Sequence, residues 1–103
     1  MEQYLYTLIP TRGDMLADGL NDRENTIIGA HFEYLSDLRE KGVVKLAGRT
    51  TNTDKSSFGV VIFEVQNEDA ARQVMANDPA VQGSVLAAKL FPFRIALMGN
   101  PVE

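Results

Sequence analysis

Apolar and polar residues alternate along this chain in two rhythms, a period near two that marks strands and a period near 3.6 that marks helices. "QYLYTLI" at residues 3–9 is rich in aromatic and β-branched residues and closes at Pro10, which predicts a strand. "TRGDMLADGLND" follows as a loop. In "TIIGAHFEYLSDLR", residues 26–39, the apolar positions Ile27, Ile28, Leu35 and Leu38 fall on one helical stripe, with Tyr34 at its margin. The predicted helix starts near Asp22 or Asn25, both N-cap residue types, and Glu24 adds negative charge to its first turn. It runs to Lys41, with Gly42 as the C′ glycine and Arg39 and Lys41 at the negative end of its dipole.

"VVKLAGRT" and "FGVVIFEV" predict two more strands, and the short polar "TNTDKSS" between them makes an antiparallel hairpin. "NEDAARQVMAN" predicts a second helix capped by Asn67, with Ala71, Val74 and Met75 on its buried face. "SVLAAKLFPFRIAL" reads as a last strand. Pro92 inside it cannot donate to a ladder, so it belongs at an edge, a bulge or the point where the strand leaves its sheet.

The order βαββαβ predicts an α+β, ferredoxin-like sandwich: a four-stranded antiparallel sheet with two helices on one face. A sheet covered on one side only should be polar on the other. "FGVVIFEV" is apolar on both, with Phe58, Val60 and Ile62 on one side and Val61, Phe63 and Val65 on the other. A second copy of the chain covering the free face is the economical solution, so the expected assembly is a homodimer joined through its sheet faces.

Composition narrows the functional classes. The 103 residues make one domain, expected to span 1–103, and 45% hydrophobic with 23% charged residues is ordinary for a folded chain. Lys and Arg are scattered and the net charge is −4, which argues against nucleic acid as a partner. The chain has no cysteine, which excludes disulfides, thiolate metal sites and a Cys nucleophile, and suits a reducing cytosol. The N-terminus lacks a signal-peptide pattern, and no segment approaches the roughly 20 apolar residues of a membrane span, so a cytoplasmic protein without membrane contact is expected. Neither a Gly-rich phosphate loop nor a G-x-S-x-G elbow is present. A single histidine cannot complete a His₂ or His₃ zinc site within one subunit, so neither metal nor cofactor is expected.

That histidine, His31, sits in the apolar stripe of the first helix. It is either a core histidine satisfied by a hydrogen bond or a general acid/base facing a pocket. Both readings require a polar partner, because an unsatisfied buried nitrogen costs on the order of 1–3 kcal/mol. Asp78 is a candidate. Asp78–Pro79 reads as an N-cap and N1 proline opening a short turn of helix beside the second long helix, and its carboxylate could orient the imidazole. Arg12, after the first strand, and Arg49, at the end of the second, are solvated cations or substrate clamps. Tyr4, Tyr6 and Tyr34 read as packing residues with wet hydroxyls, and Asp14, Asp18 and Asp22 as solvated.

"HFEYLSDLREKGVVKLAGRT", "FGVVIFEV", "EDAARQVMANDPAVQGSV" and "FPFRIAL", in this order, resemble the YciI-like (YCII-related) family of the dimeric α+β barrel superfamily. The resemblance runs from about residue 4 to residue 97, and His-x-x-Tyr-Leu-x-x-Leu…Gly with the Asp–Pro segment is its mark. It implies the ferredoxin-like fold, a dimer whose sheets meet as a barrel, and a pocket with a His–Asp dyad, roles that fall on His31 and Asp78. One branch of that family removes chloride from a chlorinated hydroxyhydroquinone. The functional expectation is a small cofactor-free enzyme using the dyad as general acid/base on a small polar or aromatic metabolite, in elimination, isomerisation or hydrolysis. The alternative is a non-catalytic dimeric module that binds a small ligand or assists another enzyme.

Overall fold

The structure, a computed structural model, describes residues 1–99; residues 100–103 of the expected unit lie outside the described residues. Among the described residues eight elements follow one another: β1 (Glu2–Pro10), α1 (Met15–Asp18), α2 (Asp22–Glu40), β2 (Val44–Arg49), β3 (Gly59–Val65), α3 (Glu68–Ala76), α4 (Pro79–Gln82) and β4 (Leu86–Phe93). The strands form one antiparallel sheet in the order β2-β3-β1-β4. This is the α+β ferredoxin-like arrangement. Among the described residues no helix is long and apolar enough to cross a membrane.

Alternation along the two central strands decides which face carries the helices. Tyr4, Tyr6 and Leu8 of β1 and Val61, Phe63 and Val65 of β3 point to one side and are buried there, with Leu35 of α2 and Ala71 of α3 packed into the same core. Tyr6 meets Phe63 edge to face, with ring centroids 5.6 Å apart. The other face is apolar as well. Leu46, Ile62, Leu5 and Phe91 lie opposite one another across all four strands, so a hydrophobic row crosses the helix-free side.

Three local features differ from the expectations. The cap of α2 is Asn21, not Asp22 or Asn25: its side chain accepts the Glu24 N–H at 2.8 Å while the Glu24 carboxylate takes the Asn21 N–H at 2.9 Å. This reciprocal box satisfies two otherwise orphaned donors, which a cap at Asn25 would leave open. Gly42, at φ +78°, takes the left-handed position after the Lys41 cap as expected. The stretch expected to be wholly loop contains the single turn α1, which exists because Met15 turns inward and is only 1% exposed. Finally, β4 stops at Phe93, opposite Gln3, because β1 has little chain left to pair with it. Pro92 is accommodated because β4 is an edge strand.

Candidate active site

Asp78 is the N-cap of α4, with Pro79 in the first helical position, and its Oδ1 accepts the Ala80 N–H at 2.9 Å. Capping alone would leave the carboxylate in water. Here it is fully buried, and two further elements reach it. The ring Nδ1 of His31, on α2, lies 2.7 Å from Oδ1 and 2.9 Å from Oδ2, and the Tyr6 hydroxyl of β1 donates to Oδ2 at 2.8 Å. Ile27 of α2 packs against the bare backbone at Gly83, just past α4, where a Cβ would stand 2.8 Å from Ile27 Cδ1. Arg23 of α2 also donates to the Gly83 carbonyl at 2.7 Å, tying the two helices together.

The hydrogen-bond network assigns the imidazole tautomer. With the Tyr6 O–H and the Ala80 N–H already pointing at Asp78, the carboxylate acts as acceptor and His31 Nδ1 carries the proton. Nε2 is then the basic atom. Among the described residues no protein group bonds it, and no buried side-chain nitrogen or oxygen is left sealed without a partner. His31 borders a cavity of about 370 Å³ between α2, α1 and the β2–β3 end of the sheet, so Nε2 is the ring atom available to that space. An imidazole held in one tautomer, with its free nitrogen beside an apolar cavity, is equipped to take up and return a proton.

Tyr6 is the residue that sequence reasoning missed. Burial first, then the Asp78 charge and hydrogen bond, pushes its phenol well above the usual range, so it remains a neutral donor to Asp78. The signal was available: a tyrosine on the inward face of a central strand needs a partner for its hydroxyl. Tyr34 is pushed up to about 12, by burial and then by Asp78, and it donates to the Val74 carbonyl at 2.7 Å.

The two arginines separate. The Arg12 guanidinium forms a two-point pair with Glu24, at 2.7 and 3.1 Å, and also donates to Asp14 and to the Gly19 carbonyl. It does not border the cavity. Its work is to bind the loop after β1 to the first turn of α2, and its guanidinium, followed by the Asn21 N–H, holds the Glu24 carboxyl below the usual carboxylate range. Arg49 does border the cavity, donating only to the Thr50 carbonyl at 3.1 Å. His31, Asp78 and Tyr6 thus form one cluster, Arg49 faces the same space, and Arg12 stands apart.

Fold and site together define a ferredoxin-like protein with a buried His–Asp pair beside a small-molecule-sized cavity. The YCII-related domain model matches residues 5–94, and the chain belongs to that family. The fold is shared by several solved structures. One is 5-chloro-2-hydroxyhydroquinone dehydrochlorinase from Burkholderia phenoliruptrix AC1100, in complex with 2,5-dihydroxybenzoquinone. It is 19% identical, with a TM-score of 0.63 over 88% of this chain and 93% of that one. Another is an uncharacterised protein from Thermotoga maritima, 13% identical, with a TM-score of 0.55 over 89% of this chain and 95% of that one. No curated protein matches the chain.

Removing the Tyr6 hydroxyl deletes one donor to a buried carboxylate, so Tyr6→Phe is expected to lose about 2 kcal/mol in urea unfolding, with secondary structure unchanged by circular dichroism. A second expectation concerns pH. Because the folded Glu24 pKa is lowered, the pair with Arg12 stabilises the protein above the ordinary glutamate value of 4.5, and that contribution disappears as pH falls through the lower folded value. Arg12→Gln should therefore be less stable than wild type at neutral pH, with the gap closing in acid. Denaturant midpoints measured from pH 7 downward read this difference.

Proposed function

We propose that this protein is a small cytosolic enzyme in which His31 acts as general acid/base, oriented by Asp78, on a small polar or aromatic metabolite. The observation that carries the reading is the buried His31 Nδ1–Asp78 pair, which leaves Nε2 beside the cavity. The reaction class is proton transfer without a cofactor: elimination, isomerisation or hydrolysis. In an elimination, Nε2 removes a proton from carbon or oxygen, the electron pair moves into the substrate, and a leaving group departs as an anion. Asp78 stabilises the imidazolium that forms, and Tyr6 holds Asp78. The fold shared with a dehydrochlorinase supports an aromatic substrate, as do the apolar cavity walls, among them Phe32, Leu35 and Met15. Arg12 is not the substrate clamp in this reading, since its guanidinium is occupied by Glu24.

The helix-free sheet face completes the proposal. The row Leu46–Ile62–Leu5–Phe91 is the surface through which two copies pair as a homodimer.

The enzymatic reading is tested by assaying wild type and His31→Gln on hydroxylated and halogenated aromatics, following halide release and ultraviolet absorbance. Turnover is expected to fall by at least about 100-fold in the variant. Equal turnover on a confirmed substrate would remove His31 from the mechanism. For the assembly, Ile62→Lys should shift the protein from dimer to folded monomer in sedimentation equilibrium, and a wild-type protein that sediments as a monomer refutes the pairing.

A further inference from the structure

The cavity walls are apolar at every side chain but three, His31, Arg49 and Ser57, among the described residues. His31 comes from α2. The other two come from the β2–β3 hairpin, where Arg49 stands opposite Gly59 in the ladder and Ser57 lies two residues before it. The polar wall on the hairpin therefore faces a cavity whose remaining polar atom is the catalytic candidate.

Thr50, between the two in the hairpin, touches both residues of the pair. The Phe58 N–H donates to Thr50 Oγ1 at 3.1 Å, and the Thr50 hydroxyl donates onward to Ser57 Oγ at 3.2 Å. Ser57 is only 4% exposed, and Thr50 is the one hydrogen-bond partner of its hydroxyl among the described residues. A hydroxyl with one partner has capacity for a further hydrogen bond to a group in the cavity. Arg49 adds charge. Unlike Arg12, Arg39 and Arg72, it has no carboxylate partner among the described residues, and only one of its N–H groups is used, on the Thr50 carbonyl. A guanidinium and a hydroxyl donor side by side, with no protein acceptor between them, match a flat anionic oxygen group.

We propose that Arg49 and Ser57 form the recognition subsite for a planar oxyanion, a carboxylate or an ionised phenol, carried on a single-ring apolar body. The apolar walls hold the body, and the subsite sets its orientation so that the reacting position lies toward His31 Nε2. A cavity of about 370 Å³ is at the small end for ligand sites, which suits a single-ring body. The inference rests on the ligand-site reading above and names the ligand class that reading leaves open.

His31 is the only histidine, so its imidazole signals in a ¹H–¹³C spectrum report on the cavity without assignment ambiguity. Benzoate, 4-nitrophenolate and the neutral isostere benzamide are titrated against the full chain. Benzoate or 4-nitrophenolate, whichever matches the subsite, is expected to shift the His31 signals saturably, with benzamide at least about tenfold weaker. Arg49→Gln should weaken the anion about tenfold and leave benzamide unchanged, and Ser57→Ala should weaken it about threefold, cost terms set by hydrogen bonds to charged groups. Arg49 is exposed, so its variant decides the matter even where Ser57→Ala fails to fold. Anions that do not bind in the millimolar range overturn the subsite, as do anions that bind no better than benzamide or bind equally well to Arg49→Gln. None of these outcomes depends on turnover, so they separate from a failure of the His31 assay: an inert His31 with Arg49-dependent anion binding would keep the subsite and sink the catalysis.

Discussion

A fully buried carboxylate is the constraint around which this molecule is arranged. Leaving a charge such as Asp78 unpaired in a protein interior costs several kcal/mol. The structure offsets that cost with donors from separate elements: the Tyr6 hydroxyl from β1, the His31 ring from α2 and the Ala80 N–H from the turn that Asp78 itself caps. Those elements have to sit where they do for the carboxylate to be tolerated. β1 must turn Tyr6 inward, α2 must present His31 toward α4, and α4 must begin at Pro79.

The same pairing gives the histidine its chemical character. Held at Nδ1, the ring has one basic nitrogen and one orientation, and that nitrogen belongs to the cavity side. Apolar walls surround it, so interactions with developing charge are stronger there than in water. The hairpin supplies the complementary polarity from another part of the sheet. An imidazole on a helix and a guanidinium with a hydroxyl on a hairpin, separated by hydrophobic surface, make the cavity lining asymmetric.

Arg12 and Arg49 show how two residues of one type diverge. Arg12 follows β1 and Arg49 ends β2, and both read from the sequence as cations in search of an anion. Arg12 finds Glu24, twelve residues away along the chain, and becomes a strut between loop and helix. Arg49 borders the cavity and donates only to a backbone carbonyl among the described residues. Nothing in the local sequence separates these outcomes, because the decision lies in which carboxylate the folded loop brings within reach.

Local patterning by itself determined the order of the strands and long helices, the antiparallel hairpin, the inward stripe of α2 and the two apolar faces of β3, since each follows from side-chain spacing within a few residues. It also singled out His31 as a polar group in an apolar row and Asp78 as a cap, because both are local anomalies. What only the tertiary structure decided was long-range: that Tyr6 completes the Asp78 cluster, that Asn21 and Glu24 close the box at the start of α2, that Met15 makes a turn of helix, and that Arg12 pairs with Glu24 while Ser57 borders the cavity. These depend on pairs brought together across the sheet or between loop and helix. Hydrogen bonds and ion pairs act only within a few ångströms, a distance that spacing along the chain does not encode.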